Sequence, residues 1–147
     1  MKLVIQRVKK ARVRDKDRDK VVAEIGPGLF ILLGVGKQDG LARVSAMAQK
    51  LVNLRVMADE SGKMNLSIKE AKGEIIVVSQ FTLYADTSGG RRPSFVSAAA
   101  PELARQIYQA FVINLKKEGV KVATGSFGNY MEIESVADGP VTIILEG

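Results

Sequence analysis

The segment Ser79-Gln80-Phe81-Thr82-Leu83-Tyr84-Ala85-Asp86-Thr87 follows the apolar, largely β-branched run Glu74 to Val78. A strand that ends in hydroxyl and amide residues presents hydrogen-bond donors at the mouth of a pocket. On local grounds a second reading stays open, in which Ser79 and Thr82 hydrogen-bond only the turn that carries them. Gly89-Gly90-Arg91-Arg92-Pro93-Ser94-Phe95 then brings two adjacent guanidinium groups and an aromatic ring. Arginine forks match phosphate; a solvated surface loop is the alternative. Near the end, Asp138-Gly139-Pro140-Val141-Thr142 contains a Gly-Pro pair. Such a pair is ordinarily a turn. A cis bond before proline costs only about 0.5–1 kcal/mol, so a fold can also use it to aim two consecutive carbonyls in one direction.

Other spacings are weaker. Gly34, Gly36 and Gly40 lie between a predicted strand and a predicted helix, but as G-x-G-x-x-x-G rather than the dinucleotide fingerprint, and a tight turn accounts for them. Gly36-Lys37 lacks the hydroxyl residue and the first glycine of a phosphate loop. Glu132 and Glu134 share one face of a predicted strand, where an exposed surface explains them better than paired acid–base groups.

Two absences narrow the chemistry. The chain has no cysteine and no histidine, which excludes disulfides, thiol nucleophiles, a Ser-His-Asp triad and the commonest metal ligands. Catalysis must rest on hydroxyls, carboxylates, lysines, backbone amides or groups that the substrate brings. No metal and no cofactor are expected. Lys and Arg number 22 against 16 Asp and Glu, a net charge of +6, which favours a polyanionic partner or else a soluble basic surface.

The elements that must position these residues follow from pattern. Of the 147 residues, 46% are hydrophobic, enough for one core and one domain, 1–147. Met1 to Lys10 alternates apolar and basic residues, without signal peptide or membrane span, so a cytoplasmic protein is expected. A strand pair is predicted at the N-terminus, with Arg14 to Lys20 as its solvated tip and Val21 to Ile25 returning. Gly26-Pro27-Gly28 turns the chain into the buried strand Leu29 to Val35. Asp39 is placed to cap a helix reaching Arg55, and Pro101 opens a second helix that Gly119 closes. Strands are expected at Glu74 to Phe81, Val120 to Ala123, Tyr130 to Val136 and Val141 to Leu145. The result is a mixed α/β domain with two main helices on a sheet.

Taken together, Gln6-Arg7-Val8, Gly34-Val35, Gly62-Lys63-Met64-Asn65-Leu66-Ser67, Ser79 to Thr87, Arg92-Pro93-Ser94-Phe95, Thr124-Gly125 with Phe127-Gly128, and Gly139-Pro140-Val141-Thr142 resemble the D-aminoacyl-tRNA deacylase family over nearly the whole chain. The resemblance implies a three-layer α/β/β fold with barrel-like mixed sheets and a homodimer with active sites at the subunit interface. It implies that Ser79, Gln80, Phe81 and Thr82 line the pocket for the aminoacyl group on the terminal adenosine of tRNA. It also implies that Gly139-Pro140, as a cis dipeptide, enters the partner's site and rejects L-amino acids. The family commonly has Asn where this chain has Ala137 and Arg91; the first departure bears on what braces the Gly-Pro turn, the second on tRNA contact. Arg91 and Arg92 are the expected tRNA-binding pair.

For hydrolysis of such an ester, the backbone amides around Gln80, Phe81 and Thr82 would hold the carbonyl oxygen while water attacks with help from the ribose 2′-hydroxyl. The alternative makes Thr82 the nucleophile. Rival functions are a non-catalytic RNA-binding module, which the 5% aromatic content disfavours, and a small-molecule hydrolase.

Overall fold

The computed structural model describes residues 1–147. Eight strands and two α-helices follow one another: β1 (Lys2–Asp15), β2 (Lys20–Ile25), β3 (Gly28–Gly34), α1 (Val44–Asn53), β4 (Met57–Ala58), β5 (Met64–Leu66), β6 (Glu74–Ser79), α2 (Pro101–Lys117), β7 (Lys121–Thr124) and β8 (Met131–Glu146). The main sheet runs β2-β1-β3-β6-β7, and β8 pairs antiparallel along nearly the whole of β1. The sheet thereby curls towards a barrel.

Strand periodicity divides the interior into two layers. On β3 and β6, Leu29, Ile31, Leu33, Ile75 and Val77 face the helices, packing with Leu51 of α1 and Ile107, Phe111 and Leu115 of α2. The alternate residues Phe30, Ile76 and Val78 face the inside of the curl, where they meet Val8, Ala11, Val13, Ala23 and Ile25. Successive residues on a strand point to opposite faces, so a strand apolar on every position belongs between two cores. The helices cover the outer face of this one sheet and its two curled walls enclose the inner core, which gives the expected α/β/β layering.

Three expectations are corrected. The first predicted helix is shorter: a 3₁₀ turn covers Leu41–Arg43, α1 begins at Val44, and Asp39 caps neither. The strand predicted to reach Phe81 stops at Ser79, and Phe81–Tyr84 is a 3₁₀ turn. The two C-terminal strands are one, β8, which runs through Gly139-Pro140, and that peptide bond is cis. Ala137 lies opposite Val8 and Thr142 opposite Gln6, so the four residues from Asp138 to Val141 stand against the single residue Arg7 of β1 and bulge from the sheet.

Candidate active site

The site grows from the end of β6. Ile75 to Val78 are fully buried and pair in parallel with β3 on one side and β7 on the other. At the end of this strand, Gln80 N–H donates to Leu33 O at 2.8 Å, and the chain then turns through Phe81–Tyr84. The Gln80 amide is therefore engaged, which corrects the expected trio of carbonyl-holding amides. The N–H groups of Phe81 and Thr82 have no partner within the chain, since the first amides of a helical turn lack an acceptor one turn back. Two adjacent free donors remain. The Gln80 side-chain amide donates to Thr82 Oγ1 at 2.6 Å.

Beside this turn lies a cavity of about 670 Å³. Leu33, Val35 and Val78 floor it, Phe81 and Phe95 flank it, and Ser79 and Gln80 are its polar wall. The rings of Phe81 and Phe95 meet edge-on at 5.0 Å, a favourable quadrupole arrangement. Across the cavity, Tyr108 of α2 donates to Val77 O at 2.8 Å, and burial pushes its hydroxyl up to about 12, so it remains a neutral donor. Phe127 packs on Tyr108 and carries the Arg105 guanidinium 4.5 Å above its ring.

The wall from Phe127 to Tyr130 is braced by residues whose alternating charges point to a solvated tip. Asp15 is fully buried and accepts from Asn129 Nδ2 at 2.8 Å and from the amides of Asp17 and Arg18. A hydrogen bond from Ser126 does most to hold its carboxyl below the ordinary range. Tyr130 N–H also donates to Asp17 Oδ2 at 3.1 Å. Nothing in the pattern of Arg14 to Lys20 marks Asp15 as buried.

The other predicted site residues stand apart from the cavity. Arg91 and Arg92 are exposed in a loop closed by the reciprocal Asp86–Ser94 backbone pair, and neither contacts a carboxylate. Gly139 and Pro140 are exposed on the β8 bulge and do not line the cavity of their own chain. Arg7 lies behind them. Its Nε is 2.9 Å from Asp138 Oδ2 as an ion pair, and its Nη1 donates to Val56 O at 3.0 Å. With Ala137 unable to hydrogen-bond through its side chain, this buried arginine braces the bulge. Glu132 and Glu134 are exposed, Glu132 pairing with Lys16 and Glu134 lying opposite Arg12. No three acidic side chains come together as a metal site.

Residues 4–146 match the family described as D-Tyr-tRNA(Tyr) deacylase. The chain belongs to that family. Similar proteins include the D-aminoacyl-tRNA deacylase of Protochlamydia amoebophila (strain UWE25), 51% identical over 99% of this chain and 95% of that protein. Another is the D-aminoacyl-tRNA deacylase of Thermosipho africanus (strain TCF52B), 48% identical over 99% and 97%. Among solved structures, that of a c-Myc DNA Unwinding Element Binding Protein superposes with a TM-score of 0.91 at 38% identity over 100% of this chain and 99% of that one. A probable eukaryotic D-amino acid tRNA deacylase superposes at 0.86 and 16% identity over 98% and 97%, a likeness of fold. No helix is long and apolar enough to cross a membrane.

Proposed function

We propose that this chain hydrolyses the ester joining a D-amino acid, or glycine, to the 3′ end of tRNA. The observation that carries the reading is the pair of free Phe81 and Thr82 amides beside an apolar cavity in a chain without histidine or cysteine. Donors preorganised where negative charge develops stabilise a tetrahedral intermediate without any side-chain base. Water attacks the carbonyl carbon, the oxyanion rests on the two amides, and the bond to the ribose 3′-oxygen breaks. The neighbouring 2′-hydroxyl relays the proton from water to the leaving oxygen. Thr82 contributes its backbone amide rather than a nucleophile: it does not line the cavity as Ser79, Gln80 and Phe81 do, its hydroxyl is already bonded to Gln80, and no base lies beside it.

Chirality is read by exclusion. The Gly139-Pro140 bulge of a second copy enters the cavity and leaves no room for an L side chain, while glycine offers nothing to exclude. Its exposure on β8, beside the exposed Ile133, Val136 and Ile144, supports an interface between two copies. Arg91 and Arg92 meet tRNA phosphates. The likeness to a DNA-element binding protein at 38% identity, together with the basic balance, favours a second reading, non-catalytic nucleic-acid binding. Incubation of the purified protein with D-Tyr-, Gly- and L-Tyr-tRNA and with a simple D-tyrosine ester separates them. Release of D-tyrosine and glycine from tRNA alone is expected; binding without release sinks the enzyme, and equal cleavage of the simple ester makes it a small-molecule hydrolase.

A further inference from the structure

Asp39, placed by the sequence pattern as a helix cap, serves a different end. Its carboxylate lies in the turn after β3, 12% exposed. Oδ1 accepts from the Met1 ammonium at 2.6 Å, and Oδ2 accepts from Gly36 N–H at 2.6 Å and from the Tyr84 hydroxyl at 3.0 Å. Tyr84 is the last residue of the 3₁₀ turn whose first two amides are the free donors.

The turn sits directly on the end of β3. A Cβ at Gly34 would stand 2.9 Å from Leu83 Cβ and 3.0 Å from Gln80 O, and one at Gly36 would stand 2.5 Å from the Tyr84 ring. These glycines, spaced like a broken nucleotide fingerprint, are needed for that close approach. The Lys2 ammonium lies 5.2 Å from the centroid of the same ring. The turn is thus anchored twice: at its entry by Gln80 N–H on Leu33 O, and at its exit by the Tyr84 hydroxyl on Asp39.

We infer that Asp39 and Tyr84 are positioning residues that fix the direction of the Phe81 and Thr82 amides for oxyanion binding. The inference rests on the hydrolytic reading above. Carboxylate, ammonium and amide are tied across three segments, so the exit anchor does not drift with the turn; an aromatic ring without its hydroxyl fills the same space but leaves the exit held by packing alone. Burial opposes the Asp39 charge most strongly, yet the bonds from Met1, Gly36 and Tyr84 outweigh it and hold the carboxyl below its ordinary range. The anchor is charged, and a charge-assisted bond is about twice as strong as a neutral one.

Tyr84→Phe is the test, with Asp39→Asn as the second variant. Steady-state hydrolysis of D-Tyr-tRNA should slow roughly tenfold in kcat with KM unchanged, the loss expected when an interaction acts on the transition state alone. The melting temperature should stay close to that of the unaltered protein. Independently of activity, the Phe81 and Thr82 amides should exchange with solvent faster and shift in ¹H–¹⁵N spectra. Unchanged kcat, a rise in KM alone, or a kcat loss that follows the unfolded fraction in both variants would overturn the positioning role. If the unaltered protein releases no D-tyrosine, the hydrolytic reading fails, and unshifted Phe81 and Thr82 amides in Tyr84→Phe would separately overturn the anchor.

Discussion

The Gln80 side-chain amide and the Thr82 hydroxyl are bonded to each other at 2.6 Å. No histidine exists to take a proton from that hydroxyl, and its oxygen is already an acceptor. Thr82→Val, of similar shape, should therefore keep hydrolysis within roughly tenfold of the unaltered protein, the scale of one missing hydrogen bond. Rapid-quench turnover of D-Tyr-tRNA measures it. A fall to the background rate, with a trapped acyl-threonine in the unaltered protein, would make Thr82 the nucleophile.

Arg91 and Arg92 are exposed without carboxylate partners, in a loop pinned at Asp86 and Ser94. Replacing both with alanine should weaken tRNA binding and flatten its salt dependence by about 0.7 to 0.9 in log–log slope for each phosphate no longer neutralised. Titrations at several salt concentrations give the slope. An unaltered slope removes this loop from the tRNA path.

The Gly139-Pro140 bulge, proposed above to read chirality, is braced by the Arg7–Asp138 ion pair. Gly139 has φ +121°, and a Cβ there would lie 2.9 Å from Val141 and 3.4 Å from the Arg7 guanidinium. Gly139→Ala should distort the bulge and lower activity on D-Tyr-tRNA. Asp138→Asn, which removes only the charge, should loosen the bulge and raise the L-Tyr-tRNA rate relative to the D-Tyr-tRNA rate. The two rates measured side by side decide this; unchanged discrimination in both variants would remove the bulge from the site.

Asp59 closes the β4–β5 hairpin, accepting from Asn65, Ser61 and Lys63. The Asn65 bond does most to lower its carboxyl from an ordinary value of 3.8 to about 2. A lowered folded value stabilises above the unfolded pKa and is lost as pH falls through the folded one. The thermal advantage of the unaltered protein over Asp59→Asn should thus be full above about pH 5 and vanish towards pH 2. A gap in melting temperature that stays constant over that range contradicts the assignment.

Much of the framework is legible in the sequence because burial imposes pattern. The unbroken apolar run of β6 marks a strand covered on both faces, and Pro101 with Ile107 and Phe111 marks α2. What cannot be read there depends on partners distant in sequence. Gly139-Pro140 has the composition of a turn, and only the pairing of β8 with β1 on either side of it makes it a bulge in one strand. Asp39 satisfies the local rule for a cap, yet it bonds Met1 and Tyr84, 38 residues before it and 45 after. Asp15 sits among alternating charges whose average is a solvated tip, and its partner Asn129 lies far along the sequence. The Phe81 and Thr82 amides carry the proposed chemistry through backbone, which side-chain identity reports only indirectly.

The central claim is that the chain supplies backbone donors and the substrate supplies the group that moves the proton. It is tested most directly by single-turnover hydrolysis of D-Tyr-tRNA whose terminal adenosine carries the amino acid on the 3′-oxygen and lacks the 2′-hydroxyl. The predicted result is tight binding with a hydrolysis rate at least about a hundredfold below that of the ribose form, the low end of what a positioned proton relay contributes. Equal rates for the two substrates would contradict the claim and return the proton transfer to a side chain.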